Sequence, residues 1–176
     1  MEKKIGFIGL GAMGKFMAEN LLKDGFKAVL FDVNAAALAA FRDKAGVEIL
    51  STAAGVGAAV STVVTMLPDS PHVEEAVLGP QGLANTLKAG AIVVDMSTIS
   101  PKTARKVAAA LKERGVDFLD APVSGGQKGA REGALSIMAG GGKKAFDAVL
   151  PVLRVMGKTI VHVGPSGSGQ AVKLCN

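Results

Sequence analysis

Three glycines near the start of the chain have the spacing Gly-x-Gly-x-x-Gly. The apolar run before them predicts a strand, and the apolar period after them predicts a helix. In that setting the first glycine permits a tight turn, the second lets the backbone approach a pyrophosphate, and the third lets the helix pack on the strand. The alternative is a set of glycines that only makes a turn. The candidate phosphate-binding residues are Gly9, Leu10, Gly11, Ala12, Met13 and Gly14.

An acidic residue, Asp32, ends the second predicted strand about 20 residues after the glycines. A carboxylate at this position can accept hydrogen bonds from both ribose hydroxyls of an adenosine. The next residues, Val33 and Asn34, offer no arginine for a 2′-phosphate, so the sequence favours NAD over NADP as the cofactor. Alternatively, Asp32 caps the next helix, and both roles could hold at once.

Two later strand ends carry further candidates for contact with the cofactor. Leu67 and Pro68 follow one predicted strand, and Thr98 follows the next. The carboxyl ends of parallel strands meet at one edge of a sheet, where ligands of doubly wound folds bind. We expect Leu67 and Pro68 to wall the nicotinamide side and Thr98 to hydrogen-bond the cofactor, with ordinary loop roles as the alternative.

A candidate substrate anchor follows the strand predicted at 117–121, at Ser124, Gly125 and Gly126. A Ser-Gly-Gly turn can aim successive backbone N–H groups at a carboxylate. The alternative is a tight turn that needs glycine dihedral angles. Lys173 and Asn176 would share one face of a helix, one turn apart. A lysine beside a nicotinamide can donate a proton to a carbonyl oxygen, although simple solvation would also explain Lys173.

Strand and helix patterns alternate along the chain, which predicts an α/β fold of the Rossmann type. We expect a doubly wound, mostly parallel sheet with helices on both faces. The predicted strands are 4–10, 28–31, 62–66, 92–95, 117–121, 135–139 and 159–163. The predicted helices follow the glycines to about residue 24 and span 35–44, 53–60, 101–114 and 143–156, with a further helix starting at Gln170.

Composition excludes several classes of function. The net charge of +5 comes from basic residues spread along helical patterns, without aromatic residues between them, so no nucleic-acid partner is expected. One cysteine and two distant histidines indicate no metal site. No apolar run reaches the ~20 residues of a membrane span, and we expect a cytoplasmic protein.

The length fits one dinucleotide-binding domain at 1–163, followed at 164–176 by a linker and the start of another helix.

The chain resembles the NAD-binding domain of the β-hydroxyacid dehydrogenases, relatives of 6-phosphogluconate dehydrogenase. Four stretches of this sequence resemble the four signatures of that family and occur in the same order, namely 6–14, 66–68, 120–126 and 169–176. The resemblance implies that the glycine turn and Asp32 bind the adenosine and pyrophosphate. It also implies that Leu67, Pro68 and Thr98 contact the cofactor, that 124–126 anchor the substrate, and that Lys173 is catalytic with Asn176 beside it.

The stretch Met66-Leu67-Pro68-Asp69-Ser70-Pro71-His72-Val73 looks most like that of tartronate semialdehyde (2-hydroxy-3-oxopropionate) reductases. 3-Hydroxyisobutyrate dehydrogenases and succinic semialdehyde or glyoxylate reductases are similar as well. This implies hydride transfer between a nicotinamide and a small carboxylated aldehyde or 3-hydroxy acid. Members of the family continue into a helical domain that completes the substrate pocket and forms a homo-oligomer. We therefore expect a piece of a longer protein that binds NAD(H) but is inactive alone; a non-catalytic dinucleotide-binding module is the alternative.

Overall fold

The structure, a computed structural model, describes residues 3–176. Its strands are β1 (Lys4–Ile8), β2 (Lys27–Phe31), β3 (Val47–Ile49), β4 (Thr62–Thr65), β5 (Ile92–Asp95), β6 (Asp117–Asp120), β7 (Val123–Ser124), β8 (Leu135–Gly141) and β9 (Gly157–Gly164). Its helices are α1 (Gly14–Lys23), α2 (Ala35–Ala39), α3 (Ala53–Ala59), α4 (Ser70–Leu78), α5 (Pro101–Lys112), α6 (Gly126–Glu132), α7 (Lys143–Met156) and α8 (Ser168–Leu174). A short 3₁₀ turn spans Leu83–Asn85.

Within the described residues, nine strands form one sheet in the order β3-β2-β1-β4-β5-β6-β8-β7, with β9 pairing β8. The first six are parallel, and their order is that of a Rossmann dinucleotide-binding fold. Strand β8 runs antiparallel to β6 and β7 and parallel to β9. The predicted fold class, a doubly wound and mostly parallel sheet, is confirmed.

The strands alternate their side chains between two apolar cores, one on each face of the sheet. In β1, Phe7 belongs to the core on one face, together with Leu21 of α1 and Phe146 of α7. Ile8 points to the other face, where Val56 of α3 and Leu111 of α5 belong to the second core. Because both faces are covered by helices, the polar groups that follow the strands remain available at the carboxyl edge of the sheet.

Several predicted elements have different bounds in the structure. The helix predicted over 35–44 ends at Ala39, and strand β3, which is only 3 residues long, was not predicted. Helix α4, which contains His72, was not predicted from the sequence. Helix α7 has the predicted bounds and continues through Pro151. Pro101 occupies the first turn of α5, and Ser100 caps this helix, since its Oγ accepts the N–H of Thr103 over 2.9 Å.

Candidate functional site

The turn after β1 is built from glycines that serve different purposes. Gly9 has a φ of 95°, in the region that favours glycine, and a side chain there would collide with the carbonyl oxygen of Met66. A Cβ on Gly14 would collide with the carbonyl oxygen of Gly9, so α1 starts in direct contact with the turn. By contrast, no atom lies within 4 Å of a Cβ placed on Gly11. The middle glycine borders open space, as it must where a pyrophosphate approaches the backbone.

The start of α1 is suited to an anion. No side chain caps this helix, and its first turn contains no acidic residue. The N–H groups at the N-terminus of a helix carry a partial positive charge and lack partners within the helix. The first turn of α1 can therefore hold the phosphates of a dinucleotide.

Asp32, which follows β2, accepts two backbone N–H groups. Its Oδ2 accepts from Leu10 over 2.6 Å, and its Oδ1 accepts from Asn34 over 2.7 Å. The cap of α2 is Asn34, whose Oδ1 accepts the N–H of Ala36 over 3.0 Å, so the alternative in which Asp32 caps that helix is wrong. The half-buried carboxylate of Asp32 keeps lone pairs for the hydroxyls of a ribose.

A cavity of about 760 Å³ opens beside this turn, a volume typical of ligand sites. Most of the predicted cofactor residues line it, namely Gly9, Gly11, Ala12, Met13, Gly14, Asp32, Leu67 and Pro68. Leu10 and Thr98 are not among its lining residues. Leu10 is buried and reaches the site through its N–H bond to Asp32, and Thr98 is exposed on the loop after β5. The backbone at Gly11, the Asp32 carboxylate and the apolar wall formed by Leu67 and Pro68 fit the parts of a dinucleotide.

Part of the cavity wall was not predicted from the sequence. These lining residues come from the start of α3, from α4 and from the loop after α4, namely Thr52, Ala53, His72, Glu75, Ala76, Pro80 and Gln81. A start signal for α4 is present in the sequence, since Asp69 caps the helix and Pro71 lies in its first turn. The Oδ1 of Asp69 accepts the N–H of His72 over 3.2 Å and lies 2.5 Å from its Nδ1. This contact with His72 lowers the pKa of the Asp69 carboxyl.

One side-chain contact joins the predicted substrate anchor to Asn176, the residue predicted to lie beside Lys173. The Nδ2 of Asn176 donates a hydrogen bond to Oγ of Ser124 over 3.2 Å. The backbone N–H of Asn176 donates to the carbonyl of Lys173 over 3.3 Å, so Asn176 lies one turn after Lys173, just beyond the end of α8 at Leu174. Only Gly125 separates β7 from α6, and Gly125 and Gly126 have φ values of 131° and 58°. The chain can turn this sharply after Ser124 because both residues are glycine.

Helix α8 is fastened to the sheet by a buried carboxylate at the end of β6. The Oδ1 of Asp120 accepts the N–H of Gly167 over 2.7 Å, and its Oδ2 accepts the N–H of Gln170 over 3.0 Å. A side chain on Gly169 would collide with the carbonyl oxygens of Asp120 and Met138. Burial raises the pKa of the Asp120 carboxyl. The 164–169 stretch, which we expected to be a linker, therefore makes defined contacts with the sheet.

A second buried carboxylate, Asp95, lies at the end of β5. Its Oδ1 accepts the hydroxyls of Thr65 over 2.8 Å and Ser97 over 2.6 Å. Its Oδ2 has no hydrogen-bond partner among the described residues. Burial raises the pKa of Asp95 to about 6, with a smaller contribution from the nearby charge of Asp120. The Oγ of Ser97 also accepts the N–H of Leu67 over 2.8 Å, so this network reaches the wall of the cavity.

Two absences hold for the part of the chain that the structure describes. Among residues 3–176 no three His, Cys, Asp or Glu side chains are grouped closely enough to ligate a metal ion. No helix within that range has the length and apolar character needed to cross a membrane.

The glycine turn, the acid after β2 and the strand order all indicate a dinucleotide-binding domain. Residues 4–164 match the family described as the NAD binding domain of 6-phosphogluconate dehydrogenase. The chain belongs to this family. As a member of the 6-phosphogluconate dehydrogenase family of NAD-binding domains, it has NAD as its cofactor. The predicted resemblance and the predicted cofactor are thereby confirmed.

Several relatives of the domain are named as dehydrogenases. The chain is 48% identical to 2-(hydroxymethyl)glutarate dehydrogenase of Eubacterium barkeri, over 100% of this chain and 59% of the relative. It is 41% identical to the mitochondrial 3-hydroxyisobutyrate dehydrogenase of Homo sapiens, over 98% of this chain and 51% of that protein. A solved structure of Mycobacterium tuberculosis 3-hydroxyisobutyrate dehydrogenase with L-serine aligns with a TM-score of 0.91 and 37% identity, over 100% of this chain and 59% of the other. The chain thus spans between half and three fifths of the length of these relatives.

Proposed function

We propose that the protein to which this domain belongs transfers a hydride between NAD(H) and a small 3-hydroxy acid or the matching semialdehyde. The observation that carries the proposal is the hydrogen bond of 3.2 Å between Asn176 and Ser124. It joins the end of the Lys173 helix to the candidate substrate anchor, although the two lie 52 residues apart in the sequence. A domain that only binds a dinucleotide has no need of this second polar cluster.

One set of residues in the domain binds the cofactor, and a second set binds the substrate. Gly11 and the first turn of α1 hold the pyrophosphate, and Asp32 accepts the hydroxyls of the adenosine ribose. When bound, the nicotinamide supplies or accepts the hydride. Leu67 and Pro68 form an apolar wall that excludes water from that side of the site, and Thr98 is the remaining candidate for a polar contact with the cofactor.

Lys173 and its neighbours act on the substrate. The Ser124 hydroxyl and the backbone N–H groups at Gly125 and Gly126 hold the carboxylate of the substrate. In the direction of reduction, the carbonyl carbon gains the hydride and the carbonyl oxygen takes a proton from the Lys173 ammonium. General acid catalysis of this kind contributes ~10²- to 10⁴-fold to the rate. Asn176, one turn from Lys173, orients the anchor through Ser124.

The names of the relatives indicate a common substrate chemistry. 2-(Hydroxymethyl)glutarate, 3-hydroxyisobutyrate and L-serine all carry a CH₂OH group and a carboxylate on the same carbon. They differ in the remaining substituent of that carbon, which is a carboxyethyl, a methyl or an amino group. We therefore propose a 3-hydroxypropanoate with a small substituent at C2 as the substrate class. Glycerate, the reduced form of tartronate semialdehyde, belongs to this class, and 3-hydroxyisobutyrate fits it equally.

Four further points stay predictions. They are the division into a domain at 1–163 and a connecting segment at 164–176, a cytoplasmic location, a homo-oligomer formed by the full protein, and the inactivity of the 176-residue chain alone. Size-exclusion chromatography with light scattering of the full-length protein tests the oligomer, and cell fractionation tests the location.

The test of the proposed function is a substrate panel with the full-length protein. NADH oxidation is followed with tartronate semialdehyde and methylmalonate semialdehyde, and NAD⁺ reduction with glycerate, 3-hydroxyisobutyrate and L-serine. Turnover of at least one member of the panel supports the proposal. A 2-hydroxy acid such as lactate serves as the control, because its hydroxyl sits on the carbon that bears the carboxylate. NADH binding without turnover of any substrate would instead indicate a binding module and contradict the proposal.

A further inference from the structure

Gln170 is a buried amide that neither the cofactor cavity nor the substrate cluster uses directly. It lies in the first turn of α8, and only 1% of its surface is exposed. Its Oε1 accepts the N–H of Ile99 over 3.1 Å, and its Nε2 donates to the carbonyl of Ser97 over 2.8 Å. These two partners flank Thr98 on the loop after β5. The side chain therefore holds both sides of that loop from the helix that carries Lys173.

Ser97 continues the chain of contacts from Gln170 toward the cofactor cavity. It is fully buried, and its Oγ accepts the N–H of Leu67 while donating to Asp95. Leu67 lines the cavity beside the glycine turn. A continuous set of hydrogen bonds thus runs from the first turn of α8, through Gln170 and Ser97, to the cavity wall.

The attachment of α8 to the sheet does not depend on this amide. Asp120 accepts the backbone N–H groups of Gly167 and Gln170, and these bonds do not involve the Gln170 side chain. Gly169 lies directly against the backbone of Asp120 and Met138. Asp120 therefore fixes α8 to β6, whereas the Gln170 side chain fixes α8 to the loop after β5. The two attachments can be removed separately.

We propose that Gln170 is a positioning residue that couples the Lys173 helix to the cofactor-binding loops. This inference rests on the proposed function, since it assigns Gln170 a task between the dinucleotide and the proton donor. A dinucleotide that contacts Leu67 and the Thr98 loop restrains Ser97 and Ile99. Gln170 passes that restraint to α8, so that Lys173 is held in place when the cofactor is bound. A displacement of about 1 Å of a catalytic group can cost ~10²-fold in rate, which makes such a restraint effective.

The first test needs no cofactor. Amide hydrogen exchange is measured at single-residue resolution in the full-length protein and in the Gln170→Met variant, which keeps the length of the side chain but loses both hydrogen bonds. We expect faster exchange at Ile99, the direct partner, and also at Leu67, which contacts Ser97 and not Gln170. The matched control is Asn20→Leu, which removes the 2.8 Å bond from Asn20 to the carbonyl of Ala130, elsewhere in the fold. An unchanged Leu67 amide in Gln170→Met overturns the coupling.

The second test adds NADH and follows the amides of 171–176. In the wild-type protein, saturating NADH should slow exchange at the end of α8. In Gln170→Met the cofactor should still bind, but this slowing should be lost, whereas Asn20→Leu should retain it. Slowing that persists in Gln170→Met contradicts the proposal. A wild-type protein that does not bind NADH contradicts the proposed function, and the cofactor-free experiment still decides the coupling.

A third variant separates positioning from stability. Gln170→Glu replaces the Nε2 donor with a carboxylate oxygen that faces the Ser97 carbonyl, and protonation of that carboxyl restores one donor and one acceptor. We expect kcat of Gln170→Glu to fall by about 10- to 100-fold at pH 8 and to recover, relative to the wild type, as the pH is lowered. Gln170→Met should lose kcat without that recovery. Parallel pH profiles for both variants would show a structural role only and overturn the proposal.

Discussion

The carboxylate of Asp32 accepts the backbone N–H of Leu10 over 2.6 Å, so the acid after β2 holds the glycine turn that follows β1. One side chain thereby fixes the shape of the phosphate-binding turn and presents its remaining lone pairs to a ribose. The two halves of the cofactor site are joined by this contact. A change at Asp32 consequently affects both the turn and the selectivity for the cofactor.

Selectivity for NADH over NADPH is the first prediction. In NADPH a 2′-phosphate replaces the ribose hydroxyl that would donate to the Asp32 carboxylate. A hydrogen bond to a charged acceptor, worth ~1.5 to 3 kcal/mol, is therefore lost. We expect NADH to bind at least ~10-fold more tightly than NADPH, as measured by titration calorimetry. The double variant Asp32→Ser/Val33→Arg should reverse the preference, because Val33 is exposed beside the cavity and an arginine there can pair with the phosphate. Equal affinity of the wild type for both cofactors would contradict this role of Asp32.

Gly11 and Gly14 form a matched pair for testing the glycine turn. A Cβ on Gly11 meets open space, so Gly11→Ala should leave the melting temperature close to that of the wild type while weakening NADH binding at least ~10-fold. A Cβ on Gly14 collides with the carbonyl oxygen of Gly9, so Gly14→Ala should lower the free energy of unfolding by about 1–3 kcal/mol. Thermal unfolding and NADH fluorescence titration measure the two quantities. If Gly11→Ala binds NADH normally, the pyrophosphate does not pass over Gly11.

Lys173 is expected to act on the substrate and not on the dinucleotide. In the full-length protein, Lys173→Ala should lower kcat by at least ~10²-fold, with little change in the dissociation constant of NADH. Lys102→Ala, on the exposed face of α5, is the matched control and should change neither value. Near-normal turnover of Lys173→Ala would remove Lys173 from the mechanism.

The parts of the site that lie within one short stretch of chain can be predicted from local sequence patterns. The strand, glycine turn and helix around Gly11 are one continuous segment, and Asp32 follows the next strand, so spacing alone identified them. Likewise Ser100 and Pro101 predicted the start of α5, because a cap acts on residues in the next turn. Helix α4 was missed, although Asp69 and Pro71 are start signals, because the run of Pro and Ser residues around them is equally typical of a loop.

Contacts between distant segments could not be predicted from one sequence. The N–H groups bonded to the Asp120 carboxylate lie 47 and 50 residues further along the chain, and the Gln170 side chain reaches the loop at 97–99. Nothing in the composition of 164–169 distinguishes a mobile linker from a segment packed on β6. Only the folded sheet shows that Gly169 must lie against the backbone of Asp120.

The pH dependence of stability offers a test of the buried Asp95. Burial raises its pKa in the folded protein from 3.8 to about 6, so between these values the folded state keeps a proton that the unfolded state has released. The contribution of Asp95 to stability is therefore largest below about pH 4 and is lost as the pH rises through 6. The loss amounts to up to about 3 kcal/mol by pH 7.5. The raised pKa of Asp120 acts in the same direction.

The variant Asp95→Asn isolates the pH-dependent contribution of Asp95 to stability. An asparagine can place its Oδ1 where the hydroxyls of Thr65 and Ser97 donate, but it does not titrate. Any fixed cost of the substitution is the same at every pH, so the difference in unfolding free energy between variant and wild type should shift by roughly 2 kcal/mol in favour of Asp95→Asn from pH 4.5 to pH 7.5. Urea unfolding at a series of pH values measures this difference. A difference that stays constant across the range would mean that Asp95 titrates alike in the folded and unfolded states, and that its burial is relieved by solvent at the edge of the sheet.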